Sequence, residues 1–177
     1  PINYSDTYYA ESGAEIVDTA KEAFQADIVL KILPPTIVEV EMMKKGSVVF
    51  SFLYLHSLTK PLLDLMLKKR INAAAYELMN DDTGISPFIT SVSEIEGSTS
   101  INLAAELLSN THGGKGILLG GIPGISPTEV VIIGAGVAGT MAARSAMAMG
   151  ASVKVFDNDI NKLRNIRHEL GEPLFTS

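Results

Sequence analysis

The sequence predicts an α/β protein built from two doubly wound parallel-sheet domains, the second of them incomplete. Three observations carry this expectation. Short β-branched runs alternate with amphipathic segments along the chain, a rhythm that sets parallel strands beside crossover helices. The rhythm breaks once, at the stretch His112–Glu129, which holds six glycines and two prolines and separates two such series. The 177 residues are 46% hydrophobic and 19% charged, the balance of a globular chain long enough for one domain or two small ones.

The first series opens with Ala26–Ile32, a short apolar run closed by Pro34 and Pro35, which predicts a buried strand and its stop. Thr36 then caps a helical pattern through Lys45, with Gly46 in the position that ends a helix. Ser47–Leu55 is rich in β-branched and aromatic residues and predicts a central strand. Ser57 opens an amphipathic helix with leucines at 62, 63, 65 and 67 and a basic end. Ile71–Glu77 predicts the next strand, and 80–87 a polar loop. Ser91 and Ser93 each precede a glutamate by three residues, which predicts overlapping capping boxes and a helix over about Ser93–Ser109.

The second series is a strand at Val130–Ile133, a glycine turn, a helix at Val137–Met149, a strand at Ser152–Phe156 and a helix at Asn161–Leu170. The last residues before Ser177 are expected to enter a further strand. The domain boundaries expected from this pattern are 1–90, a connecting helix and linker at 91–128, and 129–177.

Composition removes several functions. Fourteen basic against twenty acidic residues give a net charge of −6, which argues against a general binder of nucleic acid or anionic membrane. The absence of cysteine excludes disulfides, thiolate nucleophiles, zinc ribbons and iron–sulfur clusters. No apolar run approaches the ~18 residues of a membrane span, no signal-peptide pattern opens the chain, and the expected compartment is the cytoplasm. No metal site is expected. The start at Pro1, without a methionine, suggests an internal piece of a longer protein.

One motif carries chemistry. Gly134, Gly136 and Gly139 stand in G-x-G-x-x-G register between strand and helix, and Asp157 follows at the end of the next strand. The first glycine permits the tight turn, the second lets backbone approach a pyrophosphate, and the third allows close helix–strand packing. The helix start, with Ala135, Val137 and Ala138 among the glycines, offers free N–H groups and partial positive charge to phosphates. Asp157 would accept hydrogen bonds from adenosine ribose hydroxyls and repel a 2′-phosphate, favouring NAD over NADP. Asn158 beside it is neutral and offers no cation to such a phosphate. The alternative for Asp157 is a cap on the following helix.

The stretch 113–139 together with MGASVKVFD resembles the alanine dehydrogenase/pyridine nucleotide transhydrogenase family, closest to alanine dehydrogenase in its GG-x-P-G segment. LKILPP, FSFLYLH, AAYE and SVSEIEG fall where that family has its own landmarks, so the likeness runs through nearly all of the chain. The resemblance implies two Rossmann-like domains, a substrate domain and an NAD domain, joined by long helices. It implies reversible NAD-dependent deamination of L-alanine to pyruvate and ammonia, a small amino-acid or 2-oxo-acid substrate and a homo-oligomer. The 177 residues alone are expected to be inactive.

The resemblance also places site residues. The family's LKVKEP-like stretch has its usual functional lysine where this chain has Leu33, and Lys31 fills the first lysine position. The catalytic histidine of the family's FLH-like strand end falls between Tyr54 and His56. On a strand these two would share one face, so His56 is expected to move the proton from one pleat further along, with Tyr54 as the alternative. The bland readings are a snorkelling Lys31, a structural His56 and a core Tyr54. Ser93 matches the family's serine near the nicotinamide, although a helix cap accounts for it equally well. Two other functions remain open: a transhydrogenase α-like subunit, and a catalytically silent NAD-binding module.

Overall fold

A computed structural model describes residues 4–171 and 174–177, which fall into two compact units, Pro1–Ser86 and Pro87–Ser177. Unit 1 carries α1 (Asp6–Glu11), α2 (Ala20–Ala23), β1 (Ile28–Leu30), α3 (Ile37–Met42), β2 (Val48–Ser51), α4 (Lys60–Lys69) and β3 (Asn72–Ala75). Its strands form one parallel sheet in the order β1-β2-β3, with Val49 between Val29 and Ala73. Alternation along the strands turns Val29 and Val49 to one face, where they pack with Val40 and Met43 beneath α3 and with Leu62 and Met66 of α4. Ile28 and Leu30 point to the other face and are exposed.

Two helices of unit 1 differ from the sequence expectation. Thr36 does cap α3, its side chain accepting from the Glu39 N–H in a capping box, but the helix ends at Met42 and not near Lys45. The Lys69 ammonium ends it from outside, donating to the carbonyls of Val40 at 3.0 Å and Met43 at 2.7 Å. Ser57 does not open α4. It closes a 3₁₀ turn over Leu55–Ser57, and Thr59 is the N-cap, with Pro61 in the first turn of the helix.

Unit 2 begins with α5 (Pro87–Leu108) and continues through β4 (Glu129–Ile133), α6 (Val137–Ala148), β5 (Ser152–Phe156), α7 (Ile160–Leu170) and β6 (Phe175–Thr176). The parallel order is β4-β5-β6, so the chain does enter a further strand. The predicted start of the long helix at Ser93 is wrong. Pro87, suited to a first turn, starts α5 two turns earlier, and the Ser91 hydroxyl donates back to the Pro87 carbonyl at 2.9 Å. The core of this unit joins Val153 and Val155 of β5 to Ala142, Ala143 and Ala146 of α6, Leu163 and Ile166 of α7, and Ile101 of α5. Close approach of α5 to α6 depends on Gly97, where a Cβ would collide with the Ala138 carbonyl.

Candidate functional site

In unit 2 the site grows from the turn between β4 and α6. Gly134 has φ +108°, a conformation that a side chain resists, and it turns the chain out of the sheet. Gly139 faces back on that turn; a Cβ there would run into the Gly134 carbonyl oxygen. Gly136 is the N-cap of α6, is exposed, and makes no side-chain cap bond, so the helix presents its first N–H groups uncapped. A Cβ on Gly136 would meet nothing within 4 Å, so ligand backbone or phosphate has room there. Val137 is exposed and Ala138 half-buried in that first turn.

Ala135 is different. Its methyl joins the core, and its N–H donates to Asp157 Oδ2 at 2.7 Å. Asp157 Oδ1 accepts the Asp159 N–H at 2.8 Å. These two backbone donors, with the nearby Lys162 ammonium, hold the Asp157 carboxyl below the usual carboxylate range. The helix cap goes to Asp159, whose side chain accepts from the Asn161 N–H. Asp157 therefore ties β5 to the glycine turn and does not cap α7. Asn158 is exposed beside it.

A cleft of about 380 Å³ lies over the turn, lined by Ala135, Gly136, Val137 and Thr140, by Arg144, Lys162 and Glu169, and by Thr90 and Glu94 of α5. Arg144 is ion-paired with Glu169. Lys162 is the residue that sequence reasoning missed: Asn158 is neutral, but a cation does stand close by, five positions after Asp157. Its signal was a lysine in the first turn of the helix that follows the acid. Ser93 is half-buried one position before the cleft-lining Glu94.

In unit 1 the candidates gather at the carboxyl ends of the strands. Lys31 Nζ donates to Glu39 Oε2 at 2.6 Å and to the Pro34 carbonyl at 3.3 Å. Burial works against charge on Glu39, yet Lys31 and the Thr36 N–H and hydroxyl together hold its carboxyl below the ordinary range. Leu33 is 66% exposed. After β2, Phe52 and Leu53 are buried and Tyr54 is 36% exposed, so the core reading of Tyr54 is corrected. Tyr54 adopts the left-handed region at φ 47°, ψ 58°, and His56 sits in the 3₁₀ turn beyond it. The strand has ended at Ser51, so the shared-face argument for Tyr54 and His56 fails. The two rings still meet, edge to face with centroids 6.5 Å apart. Tyr54 stacks on Phe52 at 5.7 Å, and Phe52 and Tyr76 meet in a T-shaped contact at 5.4 Å.

His112 belongs to neither cluster. Its Nε2 lies 3.1 Å from Glu106 Oε1, and its Nδ1 lies 3.2 Å from the Thr111 hydroxyl. Among the described residues no group of three or more acidic or histidine side chains could hold a metal, and no helix is long and apolar enough to cross a membrane.

A parallel sheet whose strand runs through a glycine turn into an uncapped helix, with an acid closing the next strand, defines the Rossmann class of α/β proteins. Within that class, the chain belongs to the alanine dehydrogenase/PNT family: the profile of its N-terminal domain matches residues 1–96 and that of its C-terminal domain residues 100–176. It is 42% identical to an alanine dehydrogenase of Mycolicibacterium smegmatis over 168 residues, 94% of this chain and 45% of the relative. It is also 42% identical to an alanine dehydrogenase of Methanococcus maripaludis, over 97% of this chain and 46% of the relative. A solved L-alanine dehydrogenase superposes with a TM-score of 0.89 at 34% identity, over 99% of this chain and 49% of that one. The chain thus spans about half the length of the relatives it matches.

Proposed function

We propose that this chain is part of an NAD-dependent amino-acid dehydrogenase of the alanine dehydrogenase type. In this reading residues 1–90 belong to the substrate domain, 91–128 connect, and 129–177 begin the NAD-binding domain. The observation that carries it is the uncapped start of α6 beneath an open Gly136, with Asp157 locked at the end of β5. This donor set fits a dinucleotide. The N–H groups of Gly136, Val137, Ala138 and Gly139 would receive the pyrophosphate. Asp157 has given one lone pair on each oxygen to backbone, and the remaining pairs would accept the ribose hydroxyls. Ser93 and Asn158 complete the proposed cofactor contacts. Bound NAD supplies the hydride acceptor.

The substrate, a small amino acid or its 2-oxo acid, would bind outside the carboxyl ends of β1, β2 and β3, where ligands of open parallel sheets lie. There His56, or Tyr54 beside it, would exchange the proton lost from the substrate amine. Lys31 would serve the substrate carboxylate only by leaving Glu39. The intact enzyme is proposed to be a cytoplasmic homo-oligomer. The full-length protein, given L-alanine and NAD, should produce NADH at 340 nm. NADH binding by calorimetry without any turnover would reject dehydrogenation and select a second reading, a silent NAD-binding module. That reading draws on the Lys31–Glu39 pair and the exposed Leu33.

A further inference from the structure

Glu77 has no part in the functional reading above, yet it bonds directly to the loop that carries Tyr54. It stands in the 3₁₀ turn Tyr76–Leu78, directly after β3, and is half-buried. Both of its carboxylate oxygens accept the Leu53 N–H at 3.1 Å, and Oε1 also accepts the Tyr54 N–H at 2.7 Å. These are charge-assisted bonds, the stronger kind. They fall on the residue that needs them, because Tyr54 is, among the described residues, one of two non-glycine residues with positive φ. A Cβ disfavours that region, so it persists where the surroundings over-determine it. Tyr76, next to Glu77, buttresses the same loop through its T-shaped contact with Phe52, against which the Tyr54 ring is stacked. The end of β3 therefore sets both the backbone and the ring of the segment that follows β2.

We infer that Glu77 is the positioning residue of the unit 1 site: its carboxylate clamps Leu53 and Tyr54 so that the Tyr54 phenol and the adjoining His56 ring stay in one presentation. This rests on the reading that the Tyr54–His56 segment meets the substrate. In this account Glu77 acts only through the backbone it holds and carries no proton.

The test uses the full-length protein and the variants Glu77→Ala and Glu77→Gln. Glutamine keeps one carbonyl acceptor and guards against a variant that fails to fold. Amide hydrogen exchange at Leu53 and Tyr54 should accelerate by about tenfold or more in the alanine variant and by less in the glutamine variant. With pyruvate, ammonium and NADH as probes, Glu77→Ala should lower kcat about tenfold and leave the KM for NADH unchanged. The glutamine variant should recover part of that loss. In a background lacking both rings, Tyr54→Ala with His56→Ala, the Glu77 substitution should add less than about twofold, since its effect passes through them. Unchanged exchange at both amides overturns the clamp. A full, additive loss in the ringless background overturns the positioning role. If the wild type turns over no pyruvate, the dehydrogenase reading fails. Exchange alone then decides: lost protection upholds the clamp and retained protection overturns it.

Discussion

In both units a carboxylate at the end of one strand holds backbone N–H groups of the loop leaving the neighbouring strand. Asp157 takes the N–H of Ala135, and Glu77 takes those of Leu53 and Tyr54. Both loops pass through positive φ, at Gly134 in unit 2 and at Tyr54 in unit 1. The residue at that point makes the difference. Glycine bends without strain and leaves bare backbone before an open helix start, so a ligand's own charge can approach. Tyrosine bends under strain and fills the equivalent place with a ring seated on Phe52. One clamp thus makes two kinds of loop: one where the protein withdraws and one where it presents a side chain.

The largest expected effect tests what the unit 1 loop presents. If the full-length protein is the proposed dehydrogenase, replacing its proton-transfer group should lower turnover by roughly 10²–10⁴-fold. If His56 is that group, His56→Ala shows this loss and Tyr54→Phe costs far less. The opposite pattern in steady-state assays assigns the proton to the Tyr54 phenol.

The next effect tests what unit 2 leaves open. Asp157→Ala should weaken NAD binding by roughly ten- to a hundredfold, because a charged hydrogen bond to ribose is lost and the glycine turn is released. NADP should suffer less, with Lys162 left beside the vacated position. Titrating both cofactors against wild type and variant measures the ratio, and an unchanged ratio would confine Asp157 to holding the turn.

A smaller contrast compares the two positive-φ residues directly. Gly134→Ala should destabilise the protein by about 1–3 kcal/mol, the usual cost of such a conformation with a Cβ. Tyr54→Gly should change stability by less than about 1 kcal/mol, since relief of strain offsets the lost stacking and the looser unfolded chain. Thermal melts of the two variants check this. Equal losses would erase the distinction between the loops.

The smallest effect is on pH dependence. Asp157 and Glu39 both have folded pKa values held below their unfolded ones. Each therefore adds stability that is fully present above the unfolded value, about 4, and is lost as pH falls through the folded one. Melting temperature should be flat in this respect near neutrality and fall below about pH 4. In Asp157→Asn the acid limb should be shallower. An identical limb would remove Asp157 from the balance.

Much of this is legible in the residue types alone. The alternation of β-branched runs with amphipathic stretches gave the parallel order, and glycine register with a terminal acid gave the unit 2 turn, because there the chemistry lies in the residue types themselves. Helix ends were less legible. Lys69 ends α3 from another element, and capping-box spacing at Ser91 and Ser93 recurs inside a helix that Pro87 had already begun. In unit 1 the decisive features are conformations and pairings. Nothing in the letters marks Tyr54 as left-handed, and Lys31 reads as a free cation until Glu39 is brought beside it. Glu77 did leave a trace. It follows a strand as Asp157 does, and comparing the two series would have singled it out.

The clamps also order events in time. Glu77 and Tyr54 are 23 residues apart, and Asp157 and Ala135 are 22 apart, each pair spanning one crossover helix and the strand that follows it. Neither loop can take its final form until the next strand has docked and delivered its acid. During synthesis, each loop would stay unfinished while its crossover helix forms and would be completed late, when the second strand closes. The smallest piece of this chain that carries a finished loop is therefore a whole strand–helix–strand unit together with the acid just past its second strand. In pulse-labelled refolding, the amides of Ala135 and Tyr54 should gain protection only after those of α6 and α4. Earlier protection at either amide would separate loop formation from strand closure.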